Sequence, residues 1–133
     1  MIDIESQVFT TAATALRGRF EGLEMSSAPE YRPSRFPFVS LREGDNYVYR
    51  ASQDSGSNEN HANVMYEADI YSTKENGKKQ EARAIQSALD EVMNAMGFTR
   101  TTMATMTDKE GTMVRISSRY TAVVSKNQVI YGR

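Results

Sequence analysis

The residues ANVMYEADIYST at 62–73 and KKQEARAIQSALDEVMNAM at 78–96 decide the fold. In the first stretch Val64, Tyr66, Ala68 and Ile70 alternate with Met65, Glu67, Asp69 and Tyr71. A period of two with this contrast predicts a half-buried strand. In the second, Ala82, Ile85, Leu89, Val92 and Met96 recur at steps of three and four, and Ala88 and Met93 widen the stripe. Lys79, Arg83, Gln86, Asp90 and Glu91 line the opposite side, so the segment predicts an amphipathic helix. Glu75-Asn76-Gly77 separates the two, with Asn76 as the candidate cap, and Gly97 stands where a left-handed residue ends a helix.

Beyond Gly97 the period returns to two. Phe98–Thr107 predicts a strand that sets Thr102, Ala104 and Met106 against Thr101, Met103 and Thr105. Asp108-Lys109-Glu110-Gly111 reads as a hairpin turn. The returning strand, Met113–Val124, carries Val114, Ile116, Ser118, Tyr120 and Ala122 on one face, and Arg115, Ser117, Arg119, Thr121 and Val123 on the other. Ser125–Gln128 turns again before Val129-Ile130-Tyr131.

Toward the N-terminus, Ile4, Val8, Ala12 and Leu16 repeat every four residues, predicting a helix from Met1 to about Phe20. Leu23-Glu24-Met25 reads as a short strand, and Ala28–Pro33 as a loop. Phe36–Leu41 predicts a strand with Pro37 at its start, because proline has no ladder hydrogen to donate. Glu43-Gly44-Asp45-Asn46 has turn chemistry, so Tyr47-Val48-Tyr49 is expected as a separate short strand. Ser52–Asn60 has no apolar residue to offset its ordering entropy, and is expected to be an exposed loop that orders against a partner. The whole predicts one α+β domain over residues 1–133: a mainly antiparallel sheet with two helices packed on one face.

Composition narrows the function classes. The 133 residues include no cysteine and one histidine, which removes disulfides, thiolate metal sites and cysteine nucleophiles. The formal net charge is -1, and no dense basic stripe of the kind that grips nucleic acid is present. No run approaches the ~20 apolar residues of a membrane span. The acidic start, Met1-Ile2-Asp3-Ile4-Glu5, does not resemble a secretory signal, so a soluble, non-secreted protein is expected.

Catalytic candidates are few. His61 lacks a second imidazole or a thiolate to share a metal, and the serines near it show no nucleophile spacing. Glu67 and Asp69 share a strand face ~6.5–7 Å apart, a spacing that superficially resembles a glycosidase or metal-carboxylate pair. They stand on the polar face of an amphipathic strand, so a solvated or intersubunit surface is the simpler reading. Arg115 and Arg119 are placed to pair with them, either across the sheet or across a subunit boundary. Asn76-Gly77-Lys78-Lys79 lacks the glycine spacing of a phosphate loop. Met103, Met106 and Met113 gather near one hairpin, where adaptable side chains suit an interface. The expectation is a protein without catalytic activity, metal or cofactor.

Several segments in order resemble the tail terminator family, also called tail completion or tail-to-head joining proteins, of bacteriophages with long non-contractile tails (siphoviruses). They are Phe36-Pro37-Phe38-Val39-Ser40-Leu41, Glu59-Asn60-His61-Ala62, Tyr66–Ser72, Gly77–Ile85, Met96–Arg100, Arg115-Ile116 and Arg119–Val124, followed by Asn127 and Tyr131. The resemblance covers about three-quarters of the chain, from Phe36 onward and more loosely the first helix. It implies a structural virion protein at the tail–head junction, assembled in the host cytoplasm as a homo-hexameric ring. Its implied partners are the tail tube protein on one side and a head-closure or connector protein on the other, with no membrane and no sequence-specific nucleic acid. The alternative it leaves is a head-closure ring protein of the phage neck. The suspected interface residues are Glu67, Asp69, Arg115, Arg119, Met103, Met106 and Met113.

Overall fold

The computed structural model describes residues 2–29, 33–48 and 61–131. Its elements run α1 (Glu5–Arg19), β1 (Glu24–Ser26), β2 (Phe38–Val48), β3 (His61–Ser72), α2 (Lys78–Met96), β4 (Thr99–Thr107), β5 (Val114–Ser125) and β6 (Ile130–Tyr131). The expected Ser52–Asn60 loop lies outside the described residues. The six strands form one sheet in the order β1-β2-β3-β5-β4, with β6 also on β5. Pairing is antiparallel throughout except between β1 and β2. The fold is therefore α+β, as expected. Because β3 runs along one edge of β5 from Val114 to Ser125, β4 and β6 share the other edge end to end.

One apolar cluster joins both helices to a single face of the sheet. Val8, Ala12, Ala13 and Leu16 come from α1, and Ala82, Ile85, Ala88, Leu89 and Met93 from α2. The sheet supplies Val39 and Leu41 of β2, Val64, Tyr66, Ala68 and Ile70 of β3, and Val114, Ile116, Tyr120, Ala122 and Val124 of β5. Each of the larger aliphatic side chains contributes ~1.5–3 kcal/mol by leaving water. At the centre Phe98 meets Tyr66 edge-on, with ring centroids 5.2 Å apart.

Three expectations need correction. The turn expected at Glu43–Asn46 is a bulge, and β2 runs unbroken through it, with pairing to β3 skipping from Glu43 to Asp45. Turn-forming residues are overridden because the twelve-residue β3 offers partners on both sides of the bulge. Gly44 fits there because a Cβ would sit 2.9 Å from the Met65 methyl and 3.2 Å from the Glu67 side chain. Second, α1 begins at Glu5 rather than Met1, and the Asp3 carboxylate accepts the Glu5 amide at 3.1 Å. Third, Asn76 does not cap α2: the N-cap is Gly77, in the left-handed region at φ 92°, with no side-chain cap.

The C-terminal end of α2 follows its sequence signal. Gly97 adopts φ 107°, its amide reaches the Asn94 carbonyl at 3.0 Å, and the Phe98 amide reaches Met93 at 2.9 Å. A Cβ on Gly97 would also lie 3.0 Å from the Ile130 side chain and 3.1 Å from its carbonyl oxygen. Gly97→Ala is therefore expected to cost at least about 1 kcal/mol in urea unfolding, from backbone strain and contact with β6. Gly18→Ala, in α1 with nothing within 4 Å, should instead stabilise by roughly 0.5–1 kcal/mol. Equal effects at the two positions would contradict this account.

Candidate interaction face

The sheet face opposite the helices carries a ladder of charge. Register sets three rungs across it: Arg42, Glu67, Arg119 and Thr102; Ser40, Asp69, Ser117 and Ala104; Phe38, Tyr71, Arg115 and Met106. Directly opposite residues on neighbouring strands share a face, so each rung aligns its side chains. The Arg42 guanidinium spans two rungs, donating to Glu67 Oε2 at 2.9 Å and to Asp69 Oδ2 at 3.1 Å. Arg115 donates through Nε to Asp69 Oδ1 at 3.1 Å, and its guanidinium lies 5.6 Å from the centroid of the Tyr71 ring. The Ser117 hydroxyl donates to the same Asp69 oxygen. Arg119 is the loosest member, with Nε 3.6 Å from Glu67 Oε1 and 58% of its side chain exposed. The charged members of the rungs and Ser117, with Thr102 and Ala104, line a shallow depression of about 290 Å³.

Asp69 is the hub. The residue is 4% exposed, although the sequence placed it on a solvated face. Burial pushes its carboxyl up, but donation from Ser117, the charge of Arg115 and the hydrogen bonds from Arg42 and Arg115 outweigh burial and hold it below the ordinary aspartate value. A carboxyl depressed in the folded state stabilises above the unfolded pKa of ~3.9 and loses that contribution as pH falls below it. Asp69→Asn should therefore flatten the acid limb of a stability-against-pH curve. At the bulge in the middle of β2 the sign reverses. Burial pushes the Glu43 carboxyl up, and the charges of Glu5 and Asp3 add to it against the hydrogen bond from Asn46. Glu43 contributes most where it is protonated and loses that as pH rises through its folded value, so Glu43→Gln should stabilise at neutral pH. Chemical denaturation across acidic and neutral buffers reads both, and parallel curves for wild type and both variants would refute them.

The suspected interface residues separate into two groups. Glu67, Asp69, Arg115 and Arg119 come together, and they pair across the sheet within one chain. The three methionines do not form one patch. Met106 lies on the open face opposite Arg115, and Met103 lies on the helix side opposite Ser118. Met113 precedes β5, where its backbone exchanges hydrogen bonds with Asp108. Sequence reasoning missed Arg42, because the turn expected at Glu43 hid the continuing alternation of Phe38, Ser40 and Arg42.

A second polar cluster lies on the helix side of the sheet. The Tyr120 hydroxyl donates to Asp90, Gln86 Nε2 donates to Tyr120 at 2.9 Å, and Arg100 donates to Asp90 at 2.6 Å. Burial, with the nearby Asp90 carboxylate, raises the Tyr120 pKa far above the ordinary value. These contacts bind α2 to β5 and β4 and hold the phenol neutral. His61 opens β3 opposite Ser125, with its ring 5.8 Å from Tyr131.

Chemically, the open face is an array of fixed charges. Its carboxylates are held by guanidinium and hydroxyl donors. Among the described residues no group of three or more histidine, cysteine, aspartate or glutamate side chains is placed to hold a metal ion. No helix among them is long and apolar enough to cross a membrane. No protein-family model matches the chain, and no curated protein matches its sequence.

Proposed function

We propose that this chain is a structural virion subunit that forms a homo-hexameric ring at the head-proximal end of a phage tail tube. There it ends tube polymerisation and offers the surface that joins the tail to the head connector, with no enzymatic activity. The α+β arrangement is compatible with a tail-terminator-like fold. The observation that carries the reading is β4, whose nine residues are all exposed, with Met103 45% and Met106 42% accessible. A monomer has no use for a long strand it cannot bury, whereas a subunit of an assembly covers such a strand with its neighbours. The rigid, internally paired charges beside β4 suit a surface that must keep its shape while larger bodies dock on it.

The test is which particle holds the protein. Purified headless tails should contain it and filled tailless heads should not. Its presence in tailless heads would reject the proposal in favour of a head-closure role, and its absence from both would reject a virion role.

A further inference from the structure

The sheet treats its edges unequally. On the outer side of β2, β1 covers Phe38–Ser40. Further along that strand the Glu43 amide donates to the Glu5 carboxylate at 2.7 Å, and the Asn46 amide to its neighbour Asp45 at 2.9 Å. The Asn46 side chain ties the same stretch to the Ile2 carbonyl at 2.6 Å. β6 covers Val123 and Val124 of β5. Along Thr102–Thr107 the outer edge of β4 has no such cover among the described residues. Its bulge is confined to Arg100–Thr102, so Thr102–Thr107 runs in regular register against β5. That stretch, Thr-Met-Ala-Thr-Met-Thr, contains no proline, lysine or other charge. These are the devices by which natural sheets keep an edge from pairing with another chain. The one charged residue of the strand, Arg100, is held by Asp90 at 2.6 Å.

We propose that β4 is a strand-pairing edge whose occupant is β4 of a second copy of this chain, antiparallel across a two-fold axis. Length selects the occupant. The other short strands have three and two residues, and the rest of the β2 edge is tied to the N-terminal segment. Among the described residues, another β4 is the one bare edge long enough to match. Charge permits the pairing, because Thr102–Thr107 is uncharged and each chain carries a formal net charge of only -1.

Geometry then restricts the register. Thr102, Ala104 and Met106 share the open face, opposite Arg119, Ser117 and Arg115. A two-fold axis normal to the sheet keeps that face common to both copies, so an open-face residue must oppose another open-face residue. Centring the pair on Ala104 meets this condition: Thr102 faces the partner's Met106, and Met103 faces the partner's Thr105. The small alanines meet on the axis, and each exposed methionine is covered by a threonine. A two-fold contact of this kind differs from the head-to-tail contacts that close a ring, so the inference does not rest on the proposed ring, and a β4 covered by its own copy ceases to be an argument for that ring.

Native mass spectrometry of the full chain is the first measurement. β4 pairing predicts a dimer if this contact acts alone, and a doubled ring of twelve subunits rather than a hexamer if ring contacts also form. Met103→Lys with Thr105→Lys, both at exposed positions, should halve the mass and leave the circular dichroism spectrum unchanged. Cysteine placement supplies an independent readout, since the wild type has none. With a short thiol cross-linker, Ala104→Cys should link to its own copy more readily than Thr99→Cys or Thr107→Cys. An undoubled ring, or a mass unaltered by the two lysines, overturns β4 pairing, and the undoubled ring leaves the function proposed above standing. Equal cross-linking at all three cysteine positions overturns the Ala104 register. A dimer that persists after every ring contact is lost upholds the pairing while removing the ring.

Discussion

Asp69→Ala is expected to lower unfolding free energy by about 3 kcal/mol, near the low end of the cost of breaking a buried ion pair. The substitution leaves the Arg42 guanidinium without the acceptor at 3.1 Å and removes both polar contacts of Arg115 with the carboxylate, at 3.1 and 3.0 Å. It also orphans the Ser117 hydroxyl. Arg42 keeps Glu67 at 2.9 Å and Arg115 still reaches water, which keeps the loss from the top of the range. Arg119→Ala is the matched comparison. Its guanidinium is largely exposed and 3.6 Å from Glu67, so the loss should stay below about 1 kcal/mol. Urea unfolding of the two variants should therefore separate them clearly. If Arg119→Ala costs as much as Asp69→Ala, the hub has been assigned to the wrong residue.

Phe98→Ala should cost more, roughly 3–5 kcal/mol, the range for deleting a buried aromatic. Phe98 is 1% exposed, packs edge-on against Tyr66, and is the first residue after the Gly97 cap, so its ring anchors the end of α2 onto the sheet. Phe98→Leu keeps most of the apolar volume and should lose considerably less. A Phe98→Ala midpoint within error of wild type would mean that the junction of α2 and β4 does not belong to the cooperative core.

The elements easiest to read from sequence are those with one dominant signal. The stripe from Ala82 to Met96 and the glycine after it located the body and C-terminal end of α2, because period, length and the Gly97 cap agree, while the N-terminal cap fell on Gly77 rather than Asn76. β3 and β5 were legible through alternation, including which residues face the helices. β2 was not, since Glu43-Gly44-Asp45-Asn46 carries the same local signal whether it turns the chain or bulges within a strand. Only pairing with a distant segment decides, and that information is not local.

The candidate site follows the same logic. Alternation correctly set Glu67 and Asp69 on one face and Arg115 and Arg119 on one face. It does not show that β5 lies beside β3 rather than beyond β4, which is what brings the four together. The burial of Asp69 was hidden for a related reason. A charged residue on a polar face is ordinarily solvated, and this one is covered because Arg42, Arg115 and Ser117 converge from both neighbouring strands.

The most direct test of the proposed role is to withhold the protein during phage assembly and measure tail tube lengths by electron microscopy. A terminator predicts tubes of uncontrolled length that never join heads, with normal tails restored when the protein is supplied. Free tails of normal length beside heads that leak their contents would contradict it.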